Sequence, residues 1–307
     1  MNDLRRHSED YLSLRRALGY KLVGEGRLLA GFVTFCEQTS VSRLSTEVAV
    51  AWTTDVPGSA AYLARRMRVA RGFAGYLHAL DPSTEVPGAE LFPAGKHRPV
   101  PYIYANDDVL SLMAAARTLK PSLRAVTFET LIGLLAATGM RVSEAMTLER
   151  DDVDWNAALL TVRNSKYGKS RELLVHPSTL EALRAYSAER DRLCARHRAP
   201  SLFVSSRGTR LCHETVQPTF RKLVRQAGLK RPPGSPQPRI HGFRHSFAVD
   251  TLIGWYRDGG DVPARMPLLS TYLGHVDIAA TYWYLSAVPE LLALAAQRLE
   301  RAGSDVR

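Results

Sequence analysis

Apolar residues recur at helical spacing through most of the chain, and that periodicity predicts a predominantly helical protein. In "SEDYLSLRRALGY" Tyr11, Leu14 and Leu18 share one face behind a cap-like Ser8, and "LLAGFVTFCEQ" continues the apolar pattern. The breaker "DVPG" precedes a third helix beginning at Ser59. Within "AAYLARRMRVARGFAGYLHAL" one stripe holds Leu63, Met67, Ala70, Ala74 and Leu77, while another carries Arg65, Arg68 and Arg71. The pattern lapses in "VPGAELFPAGKHRPVPYIY", whose prolines and glycines mark a linker that carries Lys96, His97 and Arg98. Residues 1–92 are therefore expected to form a helical domain, 93–104 a linker and 105–307 a second domain.

Helical spacing returns near 107–119 and 122–138, where Gly139 occupies the place of a C-cap. "ALLTVRNSKYGKSRELLVH" breaks the period: two short β-branched or leucine-rich runs flank a polar, glycine-containing connection, the pattern of a β-hairpin. Helices are expected again around 177–196 and 213–228, then a loop in "KRPPGSPQPRIHG" and a helix containing "FRHSFAVDTLIGW". The final "SAVPELLALAAQRLERAG" is amphipathic, with Leu291, Leu292, Ala295 and Leu299 on its apolar side. The predicted fold is mainly α with a small β-sheet, the second domain being α+β.

Charge narrows the partner. Forty-one Lys and Arg against 30 Asp and Glu leave a formal +11, which favours nucleic acid first and an anionic membrane surface second. No run approaches the roughly 18 apolar residues that span a bilayer, and "MNDLRRHSEDY" lacks the apolar core of a signal peptide, so a cytoplasmic location is expected. Cys36, Cys194 and Cys212 are far apart and odd in number, which indicates reduced thiols instead of a disulfide framework. The Arg65, Arg68 and Arg71 row fits either a solvated helix face or a surface that tracks a phosphate backbone.

Four separated patches could carry chemistry: "ATGMRVSEAMTL", "SKYGKSREL", "HGFRHSF" and "LGHVDIAATYWYLS". Singly, each has an ordinary reading as a capping arginine, a soluble turn or aromatic core. His241 and His245 have the i, i+4 spacing of a helical metal pair, yet Gly242 stands where a metalloprotease motif needs glutamate, and no neighbouring spacing completes a zinc site. Together and in order, the patches resemble the tyrosine recombinase family, also called phage integrases, over roughly residues 102–295. The matching positions are Arg141 in "TGMRVSE", Lys166 in the hairpin, His241 and Arg244 in "HGFR", His275 in "LGH" and Tyr284 nine residues later.

The resemblance implies site-specific DNA cleavage and rejoining through a covalent 3′-phosphotyrosine on Tyr284, with no metal or nucleotide cofactor. Tyr282 is displaced by two positions, about 200° around a helix, and Tyr272 precedes the motif. A phenol of pKa near 10 is a poor nucleophile at neutral pH, so proton removal and charge neutralisation are both needed. Arg141 and Arg244 would supply planar charge-assisted donors to the phosphate, His241 would help accept the tyrosyl proton, and His275 would hydrogen-bond the phosphate. Lys166 would protonate the leaving 5′-oxygen, with Lys169 the alternative because the hairpin departs from the commoner "GKGxKxR". Lys169, Lys96 and the arginine row are candidate DNA contacts.

By the same resemblance, residues 1–92 would form a core-binding domain, and the tail, unless it packs on its own domain, would join protomers, monomeric when free, into a homo- or hetero-tetramer on double-stranded DNA. The stretch between Arg244 and His275 is longer than in compact bacterial members, so an extra loop is expected in "GWYRDGGDVPARMPLLS". Two other functions fit the same chemistry or fold: a type IB topoisomerase, and a non-catalytic DNA-binding protein.

Overall fold

The computed structural model describes residues 2–41, 43–93, 100–163, 170–194, 199–229, 236–286 and 288–304. The chain divides into two compact units, Met1–Arg98 and Pro99–Arg307, a division inside the stretch read as a linker. Among the described residues no helix is long and apolar enough to cross a membrane.

The first unit contains α1 (Asn2–Ala17), α2 (Val23–Gln38), α3 (Thr46–Thr54) and α4 (Ala60–Leu80). The Ser59 hydroxyl starts α4 by accepting from the Tyr62 N–H at 3.3 Å, satisfying one of the donors that a helix start leaves open. The predicted stripe of α4 is buried through Met67, Ala70, Ala74 and Leu77, against Leu29, Phe32, Val33 and Cys36 of α2 and Trp52 of α3. Fully buried side chains such as Phe32, Met67 and Phe73 each contribute about 1.5–3 kcal/mol of transfer free energy.

One expectation for this unit is corrected, and one helix is added. Ser8 lies inside α1, where its hydroxyl donates to the Arg5 carbonyl at 2.7 Å instead of capping a helix start. Helix α3 was not predicted at all. Its nine residues, "TEVAVAWTT", are too short and too rich in β-branched side chains to show a helical period, and the local signal is the Ser45 cap, which accepts from Val48 N–H at 3.4 Å.

In the second unit α5 (Asn106–Arg117) and α8 (Pro177–Leu193) flank α6 (Ser122–Thr138), which buries Phe128, Leu131, Ile132, Leu134 and Leu135. Helix α7 (Val142–Thr147) leads to an antiparallel sheet of β1 (Val153–Asp154), β2 (Leu159–Val162) and β3 (Arg171–Leu174) in that order. The hairpin appears as predicted between β2 and β3, with Leu160 opposite Leu173 and Val162 opposite Arg171. Helix α9 (His213–Gln226) completes this core. A second cluster gathers around α10 (Gly242–Arg257), α11 (Val262–Leu273), α12 (Ala279–Tyr282) and α13 (Pro289–Ser304), and it includes Tyr284 and Leu291.

The extra loop expected between Arg244 and His275 is a turn of a few residues, because α10 and α11 extend through nearly all of that stretch. Asp258 accepts from Gly260 N–H at 2.7 Å within the turn, and Asp261 caps α11 by accepting from Ala264 N–H at 3.1 Å. The tail also differs in detail. Leu291 is fully buried against its own unit and Glu290 pairs with Arg257 at 2.8 Å, but Leu292 is exposed, so the inner face runs through 291, 294 and 295. The Leu299 side chain lies outside the described residues.

Candidate active site

The site is built on the C-terminal end of α11. A helix leaves its last carbonyls without intrahelical partners, and the negative end of its dipole favours cations. Three guanidiniums meet those carbonyls: Arg171 Nε donates to Tyr272 O at 2.8 Å, Arg244 to Leu273 O at 2.6 Å and Arg141 to Gly274 O at 3.1 Å. Arg244 also donates to Gly139 O, the end of α6, at 3.1 Å. The two motif glycines permit this assembly. Both helices turn off through left-handed backbone, with φ of 59° at Gly139 and 68° at Gly274. A Cβ at Gly139 would meet the Phe247 ring at 2.6 Å, and one at Gly274 would meet the Arg171 guanidinium at 2.9 Å.

Glu144 locks the arginines together. Its carboxylate accepts from the Arg141 backbone N–H at 2.9 Å, at the start of α7, from the Arg141 side chain at 2.6 Å, and from Arg171 at 3.1 and 2.8 Å. Burial pushes its pKa up, but hydrogen bonds and charge from Arg171 and Arg141 outweigh burial and hold it at about 2. Arg244 is 2% exposed; burial first, then the charge of Arg141, bring its pKa down to about 10, which leaves it cationic at neutral pH. Three guanidiniums against one carboxylate leave the cluster with an excess of positive charge, which suits an anion.

Helix α10 brings the histidines. Tyr104 secures its first turn: its backbone N–H donates to Ser246 Oγ at 2.7 Å and its ring stacks on Phe243 at 4.5 Å. His241, at the N-cap position, is exposed at its edge yet crowded by protein; that desolvation, followed by the charges of Arg244 and Arg141, lowers its pKa. A neutral imidazole can accept a proton. His245 stands edge-on to both His241, at 4.9 Å, and Tyr284, at 5.5 Å. His275, after Gly274, has its ring 6.2 Å from that of Tyr284 and its Nδ1 2.7 Å from Thr281 Oγ1.

The three tyrosines separate clearly. Tyr284 is 2% exposed and electrostatically coupled to Arg244, Tyr282 is 44% exposed, and Tyr272 is stacked on Phe247 at 5.4 Å. The structure thus gathers Arg141, His241, Arg244, His275 and Tyr284. Lys166, Lys169 and Lys96 lie outside the described residues. In the first unit Arg65 pairs with Glu25 at 2.9 Å and Arg68 is exposed, whereas half-buried Arg71 donates to the carbonyls of Pro87, Gly88 and Leu91 at 2.8, 2.5 and 3.1 Å.

Sequence reasoning missed Glu144, Arg171, His245 and Thr281 as parts of the site. Glu144 closed the quoted "TGMRVSE", and Arg171 is the last basic position of the hairpin pattern, so both carried a signal. His245 was weighed only as a metal ligand, and nothing local distinguishes Thr281.

Clustered guanidiniums, imidazoles and a buried phenol on a mostly helical fold suit a catalytic domain for phosphodiester transfer. Residues 103–290 match the phage integrase family. Over 99% of both chains the protein is 41% identical to the inferred integrase/recombinase y4rB of Sinorhizobium fredii. It is 31% identical to the tyrosine recombinase XerD of Caulobacter vibrioides, over 76% of this chain and 73% of that one. The fold is similar to that of the Tn1549 transposon integrase in complex with transposon right end DNA, with TM-score 0.68, 15% identity and coverage of 96% and 98% of the two chains. It is also similar to a lambda integrase dimer bound to a core site, with TM-score 0.60, 17% identity and coverage of 89% and 95%. The chain belongs to the phage integrase family and is a tyrosine recombinase.

Proposed function

We propose that this site-specific recombinase cuts and rejoins DNA through Tyr284. The observation that carries this reading is the pair Arg141 and Arg244, fixed to helix-terminal carbonyls around a docked Tyr284. The phenol oxygen attacks a phosphodiester, forming a 3′-phosphotyrosine and breaking the bond to the 5′-oxygen. Arg141 and Arg244 stabilise the charge that grows on the phosphate, and His275 donates a hydrogen bond to it. His241 accepts the tyrosyl proton, directly or across His245. Lys166 protonates the leaving 5′-oxygen, with Lys169 the alternative. The nearness of the hairpin supports this, because Arg171, its first residue on β3, is already bonded into the site. Attack by another strand's 5′-hydroxyl on the phosphotyrosine reverses each step and releases Tyr284.

The first unit binds the DNA core, with exposed Arg65 and Arg68 on phosphates together with Lys96 and Lys169; Arg71 serves chiefly to hold residues 87–91. The DNA-bound solved neighbours, some dimeric or tetrameric by their descriptions, support an assembly on DNA. In that assembly α13, seated on its own unit in the free chain, joins one protomer to the next, and recombination takes place in the cytoplasm.

A suicide substrate tests the chemistry. Nicked duplexes from the gene's own genomic surroundings should trap the wild-type chain on a 3′-phosphate, and Tyr284→Phe should abolish the adduct while Tyr282→Phe retains it. An adduct that persists in Tyr284→Phe, or none on any duplex, would overturn the reading.

A further inference from the structure

We infer that Thr281 is a positioning residue for His275: its hydroxyl donates to Nδ1, so the imidazole carries its proton on Nε2, the nitrogen that donates to the phosphate. Thr281 is fully buried, and its Oγ1 lies 2.7 Å from His275 Nδ1. The pairing departs from the usual local bond of a helical threonine. The hydroxyls of Thr34, Thr147 and Thr251 each donate to the carbonyl four residues back. Thr281 reaches across to an imidazole instead.

The direction of the bond follows from the acceptor chemistry. Phosphate oxygens only accept, so a neutral His275 that bonds one needs Nε2–H, and its Nδ1 must then be the acceptor. Thr281 also sits three residues ahead of Tyr284 on one short helical segment, Ala279–Ser286. Docking of the nucleophile and selection of the His275 tautomer are therefore a single event. A segment that is undocked withdraws both the attacking oxygen and the group that sets the phosphate donor. The inference rests on the function proposed above, because the phosphate contact is what sets the direction of the Thr281–His275 bond, but the tautomer can be read without any DNA.

Nitrogen-15 NMR of the full chain, labelled at histidine and assigned with His275→Ala, reads the tautomer without any substrate. Above the imidazole pKa the wild type should show His275 with a bare Nδ1 and a protonated Nε2, and Thr281→Val should show both tautomers. On the suicide substrate Thr281→Val should slow adduct formation roughly tenfold, the scale of one ordinary hydrogen bond, and Thr281→Ser should restore it. In a His275→Ala background, Thr281→Val should add no further loss. A wild-type His275 protonated on Nδ1 overturns the inference even if no DNA is ever cut. So does a Thr281→Val defect of equal size with and without His275.

Discussion

Arg244 and Arg68 are the same side chain in two settings. Arg244 is 2% exposed and spans two helix ends through the carbonyls of Gly139 and Leu273, while Arg68 stands exposed on α4. In the proposed reaction the first would have little conformational freedom left to lose on meeting a phosphate, in a water-poor setting where a fixed charge stabilises a transition state most. The second keeps rotamer freedom worth up to about 2 kcal/mol, and salt screens it, which suits sequence-independent tracking of a backbone. Arg71 shows that spacing does not decide between them. Three residues beyond Arg68 on the same helix, it is a clamp on backbone carbonyls.

The contrast is broken most severely at Arg244. Arg244→Ala should slow adduct formation on the suicide substrate by about 100-fold to 1000-fold in single-turnover assays, and Arg244→Lys should rescue it poorly because an ammonium cannot bridge two carbonyls and a phosphate. A loss below tenfold would mean that the buried guanidinium is structural and not catalytic.

Glu144 sharpens the same point through stability. Glu144→Gln should destabilise the second unit by about 3 kcal/mol in urea titrations, since it leaves Arg141 and Arg171 partly unmatched in a buried site. The acid dependence follows from its folded pKa of about 2 against an ordinary value near 4.5. A depressed carboxyl stabilises fully above its unfolded pKa, and that contribution is lost as pH falls through the folded value. Wild-type stability should thus drop between about pH 4.5 and 2, and Glu144→Gln should lose less over that window. Parallel curves for the two proteins would show that the carboxylate contributes nothing.

The smallest effects belong to the first unit. Arg65→Ala and Arg68→Ala should each flatten the logarithmic salt dependence of DNA binding by about one and leave unfolding within about 0.5 kcal/mol of wild type. Arg71→Ala should instead destabilise its unit by about 1–3 kcal/mol, because three carbonyls lose their donor. If Arg68→Ala leaves the salt slope unchanged, the exposed row is a solvated face only.

Much of this was legible along the chain where the governing physics is local. Periodicity locates α4, α6 and α10, the Ser59 cap starts α4, and the hairpin is marked by its two short runs around a polar turn. Where the local signal was weak, the reading failed: α3 is short and β-branched, and the stretch after Arg244 read as a loop although an aspartate cap begins a helix within it. The spacing from His275 singles out Tyr284 over Tyr282, and the two do differ in setting, 2% against 44% exposed, as helical geometry expects of residues two positions apart.

By itself, then, the sequence determined the helical class, the hairpin and the C-cap at Gly139, all consequences of bonds and sterics within a few residues, and it supplied the candidate residues for phosphoryl chemistry through their order along the chain. Tertiary structure alone decided which cation meets which carbonyl, that Glu144 is buried between two arginines, that Arg71 clamps while Arg68 is exposed, and that Thr281 faces His275. The physical reason is separation along the chain. Arg141 meets Gly274 across 133 residues and Arg244 meets Gly139 across 105, and no local propensity encodes a contact that exists only once the helices have packed.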